Sequence, residues 1–204
     1  MRYLALGDSY TIGEKVSAQE RWPDRLAALL RRHGVAVTRP EIIARTGWTT
    51  DDLSAGVARA APCGHFDLVS LQIGVNDQYR GRDIEEYRLQ FRELLERAAA
   101  FAGGDPGRVI VLSIPDWGVT PFAEGRERGT IAAEIDRFNT INREETERAG
   151  ARYVDVTPFC REAARPGSES LLASDGLHPS GRMHAEWARL ALPQALAALG
   201  RSSP

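Results

Sequence analysis

The stretch Leu4-Ala5-Leu6-Gly7-Asp8-Ser9-Tyr10 lies close to the amino terminus of this 204-residue chain and decides its fold. An apolar run leads directly into a glycine and then a serine, a pattern that predicts a short β-strand followed by a turn. The stretch therefore predicts a hydroxyl group at the carboxyl end of a first strand. Open α/β sheets hold their reactive groups at that edge.

Strand patterns alternate with helical patterns along the rest of the chain. Strands are predicted at residues 2–6, 41–44, 66–73, 109–114 and 153–156. Helices are predicted to begin near Pro23, after Thr49 or Thr50 and after Asp83, with another through residues 131–141 and a last one over about 182–199. Such alternation argues for an α/β fold with a parallel sheet covered on both sides. Right-handed crossovers would then bring the carboxyl ends of all strands to one edge.

Composition limits the protein classes that need to be considered. A chain of 204 residues, with 43% apolar and 26% charged residues and a formal net charge of −2, fits one soluble domain over residues 1–204, with 200–204 expected to fray. Arginines are interleaved with acidic residues, so no nucleic-acid partner is expected. No apolar run is long enough to span a membrane, and we expect no signal peptide ahead of the first strand. Cys63 and Cys160 lack metal or redox spacing, which favours a cytoplasmic protein. The oligomeric state stays open.

Five residues could together support nucleophilic catalysis. Ser9, Gly47 and Asn76 each follow one of the first three predicted strands, and Asp175 and His178 directly precede the last helix. A serine hydroxyl needs a base to take its proton, and His178 is the candidate base. Asp175, three residues earlier, can hold the imidazole in one tautomer. The chain order Ser, Asp, His is one of several that give this geometry.

Attack on an acyl carbon also creates an oxyanion that needs hydrogen-bond donors. The candidates are the backbone N–H groups of Ser9 and Gly47 and the side-chain amide of Asn76. Removing one such donor costs about 2.7–4 kcal/mol of transition-state stabilisation. A glycine at position 47 would let a substrate approach the backbone closely.

Four segments of the chain resemble the sequence blocks of the SGNH (GDSL-type) hydrolases. They are Gly7-Asp8-Ser9, Gly47, Gly74-Val75-Asn76-Asp77 and Asp175-Gly176-Leu177-His178-Pro179. The resemblance implies a flavodoxin-like three-layer α/β/α sandwich with a five-stranded parallel sheet, and a reaction without metal or cofactor. It also implies Ser9 as nucleophile, His178 as base supported by Asp175, and Gly47 and Asn76 in the oxyanion hole. Tyr10 replaces the leucine of the best-known first block, which leaves the subfamily open.

Several aromatic and ionisable residues flank these blocks. Candidates for the substrate pocket are Tyr10, Trp48, Tyr79, Trp117 and Phe122, which suggest a partly apolar cleft. Asp8 is expected to orient the serine turn through backbone hydrogen bonds. Loop capping is the expected role of Asp77 and Asp116, and structural roles are expected for His33 and His184.

These observations predict a serine esterase that hydrolyses small-molecule carboxylic esters through an acyl-enzyme. Members of the resembled family are esterases, lysophospholipases, thioesterases and carbohydrate deacetylases, so a thioesterase or a carbohydrate O-deacetylase is the alternative. Loops 77–82, 115–124 and 166–174 would distinguish the leaving groups. A non-catalytic flavodoxin-like domain that binds phosphate or flavin is a further alternative. Such a binder has no need of Asp175 and His178.

Overall fold

One parallel β-sheet of five strands forms the centre of the protein in this computed structural model, which describes residues 1–165 and 170–201. The strands are β1 (Tyr3–Gly7), β2 (Glu41–Ala44), β3 (Leu68–Gln72), β4 (Val109–Leu112) and β5 (Arg152–Val154). Their order is β2-β1-β3-β4-β5, and every neighbouring pair is parallel. The predicted strands and the parallel sheet are confirmed.

Helices pack against the sheet in two groups and complete a three-layer α/β/α sandwich. Along the described chain they are α1 (Ser9–Ile12), α2 (Trp22–Arg32), α3 (Thr50–Ala60), α4 (Val75–Tyr79), α5 (Ile84–Phe101), α6 (Arg128–Ala149), α7 (Thr157–Ala163) and α8 (Gly181–Ala198). In one group α2 packs on α8, and in the other α5 packs on both α3 and α6. The predicted fold class is confirmed. None of the described helices is long and apolar enough to cross a lipid bilayer.

The strands β1, β3 and β4 are buried along their whole length. Their sequences are almost continuously apolar because both faces of the sheet are covered by helices. The polar exceptions within β3 are partnered: Ser70 bonds the Tyr3 hydroxyl at 2.9 Å, and Gln72 accepts from Trp22 Nε1 at 2.9 Å. Burial of these groups therefore leaves their hydrogen bonds satisfied.

Local signals set several helix ends. Asp83 Oδ1 accepts hydrogen bonds from the backbone N–H groups of Glu85 and Glu86 and so caps α5, as predicted. Gly150 adopts a left-handed conformation with φ of 76° and ends α6. The short helices α1, α4 and α7 were not predicted, because four to seven residues show too little periodicity.

The register of the sheet brings the first three strand ends together. Gly7 at the end of β1 lies beside Ala44 of β2 on one side and Gln72 of β3 on the other. The segments that leave these three strands therefore start from the same edge of the sheet.

Candidate active site

Ser9 is the first residue of α1, directly after the tight turn that follows β1, and is 5% exposed. The turn has space only for a glycine at position 7. A Cβ atom there would lie 2.1 Å from Thr11 Oγ1 and 2.5 Å from the carbonyl oxygen of Gln72. The glycine therefore allows α1 to start directly against the neighbouring strand, with the serine at its first position.

Asp8 is the N-cap residue of α1. Its Oδ1 accepts a hydrogen bond of 3.0 Å from the backbone N–H of Tyr10, which is the backbone contact expected of it. Burial raises the pKa of the Asp8 carboxyl to about 8; the nearby Asp77 also raises it, whereas the Tyr10 N–H lowers it. Asp8 is thus a buried group that orients the backbone around Ser9.

Asp175 and His178 form a hydrogen-bonded pair in the loop before α8. His178 Nδ1 lies 2.7 Å from Asp175 Oδ2, while Asp175 Oδ1 accepts from the backbone N–H groups of Leu177 and His178 at 3.0 Å. Partial burial raises the pKa of Asp175, but the hydrogen bonds from His178 and Leu177 more than offset this, so the pKa lies below its ordinary value. The ionised carboxylate holds the imidazole by Nδ1 and leaves Nε2 for another partner.

A cleft of about 200 Å³ brings four of the predicted residues together. Ser9, Gly47, Asn76 and His178 all line it. The Ser9 and Gly47 N–H groups donate no hydrogen bond to another described residue. Asn76 Nδ2 donates to the carbonyl oxygen of Trp48 at 2.9 Å, which leaves its second N–H for a ligand.

Aromatic side chains form one wall of the cleft. The ring centroids of Tyr79, Trp117 and Phe122 lie 5.4–6.3 Å apart. The Arg126 guanidinium covers all three rings at 5.1–5.6 Å and donates to the Tyr79 hydroxyl at 3.0 Å. Tyr10 also lines the cleft, with its ring centroid 6.0 Å from that of His178. Four of the five aromatic candidates therefore share the cleft.

The fifth aromatic candidate, Trp48, lies elsewhere. Its indole packs on Gly56 of α3, so closely that a Cβ atom at Gly56 would lie 2.3 Å from Trp48 Cη2. The Trp48 carbonyl accepts a hydrogen bond from Asn76, which lines the cleft. The Trp48 ring packs on α3 because Gly56 has no side chain and leaves room for a close apolar contact.

The remaining ionisable candidates hold loops and helices in place. Asp77 accepts hydrogen bonds from the backbone and hydroxyl of Thr50 at the start of α3. Asp116 accepts from Gly118 N at 2.8 Å. His184 Nδ1 faces Trp22 N at 3.3 Å, and burial lowers the His184 pKa to about 3, so its ring is neutral near neutral pH.

Sequence reasoning missed two arginines beside the cleft. Arg80 donates from Nη2 to the Gly47 carbonyl oxygen at 2.6 Å, and Arg126 covers the aromatic wall. Both lie in or next to loops 77–82 and 115–124, which contribute Tyr79, Trp117 and Phe122 to the cleft. The sequence signal that could have found them is their position, because Arg80 lies within and Arg126 lies beside a loop predicted to distinguish leaving groups. Residues 166–169 of the third predicted loop, and residues 202–204 of the predicted frayed tail, lie outside the described residues.

Solved structures share this fold. A lipolytic protein of the G-D-S-L family from Veillonella parvula matches with a TM-score of 0.71 at 18% identity, over 94% of this chain and 96% of that one. An acetylxylan esterase from Geobacillus stearothermophilus matches with a TM-score of 0.69 at 20% identity, over 98% and 94%. A psychrotrophic esterase from Pseudoalteromonas sp., inhibited by monoethylphosphonate, matches with a TM-score of 0.70 at 15% identity, over 98% and 99%.

The family follows from the sequence itself. The profile of the GDSL-like lipase/acylhydrolase family matches residues 5–186. The chain therefore belongs to that family and is a GDSL-type hydrolase of ester bonds, as the sequence blocks predicted. A comparison with curated protein sequences returns no match.

Proposed function

We propose that this protein is a serine esterase that hydrolyses carboxylic esters through an acyl-enzyme formed on Ser9. The observation that carries the proposal is the shared cleft, in which Ser9, Gly47, Asn76 and His178 line one volume. The Asp175–His178 contact of 2.7 Å supports it, because a histidine held by Nδ1 can act as a base through Nε2.

In the first half of the reaction Ser9 Oγ attacks the ester carbonyl while His178 Nε2 takes the hydroxyl proton. Asp175 stabilises the imidazolium that forms. The protonated His178 then gives its proton to the leaving alcohol, and the acyl group stays on Ser9. In the second half a water molecule attacks the acyl-enzyme with the same base, which releases the acid and restores the Ser9 hydroxyl.

The oxyanion of each tetrahedral intermediate would be held by the N–H groups of Ser9 and Gly47 and by the free N–H of Asn76. Two features support this role for Gly47 and Asn76. Arg80 holds the Gly47 carbonyl, and the Trp48 carbonyl holds the Asn76 amide. Donors that are fixed before the reaction stabilise developing charge at no reorganisation cost.

The test is hydrolysis of a chromogenic acetate ester by the parent and by Ser9→Ala, together with labelling by a fluorophosphonate probe and peptide mapping. We expect Ser9→Ala to keep the parent's melting temperature and to lose turnover, and the probe to label Ser9. Equal turnover by Ser9→Ala, or an adduct on another residue, would refute the assignment.

A carbohydrate O-deacetylase is the second candidate function, and the aromatic wall favours it. Tyr79 and Phe122 are 44% and 43% exposed and line the cleft, so part of each ring can contact a ligand beside the Arg126 guanidinium. The apolar face of a sugar ring can pack on such rings while its acetyl group reaches Ser9. Faster hydrolysis of acetylated sugars than of simple alkyl acetates and thioesters would identify this activity.

A further inference from the structure

A second cavity, of about 240 Å³ and largely apolar, lies directly beside the catalytic cleft. Tyr10, Trp117 and Leu177 belong to the walls of both spaces. Its other described walls include Val119, Pro121, Ala163, Leu172, Met183 and Trp187. The two spaces are therefore separated by only a few side chains, and two of these are neighbours of Ser9 and His178 in the chain.

Tyr10 is the residue of this partition that directly follows Ser9 in the chain. Its ring centroid lies 6.0 Å from that of His178, which lines the cleft, and 5.8 Å from that of Trp187, which lines the cavity. The side chain is 4% exposed and is held between these two rings. Tyr10 is also the residue at which the first sequence block departs from the leucine of its best-known form.

Two ionisable groups in the cavity wall, Asp116 and Cys160, are paired or neutral, whereas the indole N–H of Trp187 has no hydrogen-bond partner among the described residues. Asp116 Oδ1 accepts from Gly118 N at 2.8 Å, and its Oδ2 pairs with Arg161 Nε at 2.8 Å. Burial raises the pKa of the Cys160 thiol to about 12, so the thiol stays neutral. A ligand in this cavity therefore gains mainly apolar contact.

We propose that Tyr10, by closing this cavity off from the cleft, restricts the protein to short acyl groups, and that the cavity takes the acyl chain of a longer ester once the Tyr10 ring is removed. The inference rests on the proposed function. The acyl group stays attached to Ser9 after the alcohol has left, and Tyr10 is the next residue. A water molecule takes about 30 Å³ of liquid volume, so a cavity of about 240 Å³ has room for a chain of several carbon atoms.

The test measures kcat/KM for p-nitrophenyl esters from acetate to decanoate in the parent, Tyr10→Leu and Tyr10→Phe. We expect the parent and Tyr10→Phe to favour acetate and butyrate, since both keep the ring. In Tyr10→Leu the octanoate-to-acetate ratio should rise at least tenfold. Adding Ala163→Phe, which fills the cavity, should bring that ratio back towards the parent's. Leu89→Ala, a change on the exposed side of α5, should leave the ratio unaltered.

The outcomes separate this inference from the proposed function. Failure of the parent to hydrolyse any ester would overturn both. Acetate hydrolysis with an unchanged octanoate ratio in a folded Tyr10→Leu would overturn the acyl-chain site alone. A second series, acetates of alcohols of increasing length, tests whether the cavity binds the alcohol group of the ester instead of its acyl group. A shift confined to that series would overturn the assignment of the cavity to the acyl chain.

Discussion

Arg80 donates a hydrogen bond of 2.6 Å from Nη2 to the carbonyl oxygen of Gly47. Gly47 has a φ of 83°, and its N–H is one of the proposed oxyanion donors. An arginine from the segment after α4 thus holds the backbone of a loop that follows β2. The proposed oxyanion hole depends on contacts between loops that are distant in sequence.

Removing the Arg80 side chain should loosen the Gly47 peptide. We expect Arg80→Ala to lower kcat about tenfold or more on an acetate ester, because small displacements of a positioned group are costly. The control is Arg82→Ala, which removes an exposed arginine paired with Asp51 at 3.4 Å and should keep the parent's kcat. Equal kcat values for the two variants would show that the Gly47 contact does not position a donor.

Asp175→Asn should separate the structural role of Asp175 from its proposed chemical role. The amide oxygen can still accept from the backbone N–H groups of Leu177 and His178, so the melting temperature should change little. The amide nitrogen would face His178 Nδ1 and favour the wrong tautomer. We expect kcat to fall about 10⁴-fold. A kcat within tenfold of the parent's in the folded variant would contradict a triad.

Gly56 provides a test of how Trp48 is held. Gly56→Ala would push on the indole ring and should destabilise the protein by about 1–3 kcal/mol. It should also lower kcat, because the Trp48 carbonyl that holds Asn76 moves with the residue. Gly129→Ala in α6 is the matched control: a Cβ atom there meets nothing within 4 Å, so the change should stabilise by about 0.5–1 kcal/mol. Thermal melting and kcat check both variants, and equal stabilisation of both would refute the packing argument.

Asp8 should make stability depend on pH. Its pKa in the folded protein is raised to about 8, whereas an unfolded chain ionises an aspartate near pH 4. Between about pH 4 and pH 8 the folded state therefore binds more protons, and this group lowers the free energy of unfolding as pH rises. Asp8→Asn keeps an acceptor for Tyr10 N but cannot ionise.

The measurement for Asp8 is denaturant unfolding at pH 5 and pH 8. Relative to the parent, Asp8→Asn should gain stability between these pH values, on the order of 1–4 kcal/mol. A difference between variant and parent that is the same at both pH values would show that Asp8 ionises normally in the folded protein.

Much of the fold could be predicted because it depends on local patterns. β3 and β4 were recognisable as nearly continuous apolar runs, since strands covered on both faces need no polar side. The Asp83 cap of α5 was also recognisable, because an N-cap depends on residues that are adjacent in the chain. α4 was not predicted, because its five residues show too little periodicity and because its N-cap, Gly74, has a φ of 122° and a close approach to Tyr87 that are tertiary constraints.

By itself the sequence determined the five strands and the longer helices, the family, and the local Asp175–His178 pair, because each depends on residues close together in the chain or on a recognisable block. Only the tertiary structure decided which aromatic rings face the cleft, that Arg80 holds Gly47, and that Tyr10 divides the cleft from a second cavity. These contacts join segments separated by tens of residues. Their geometry follows from how helices and loops pack on the sheet, and no local pattern encodes it.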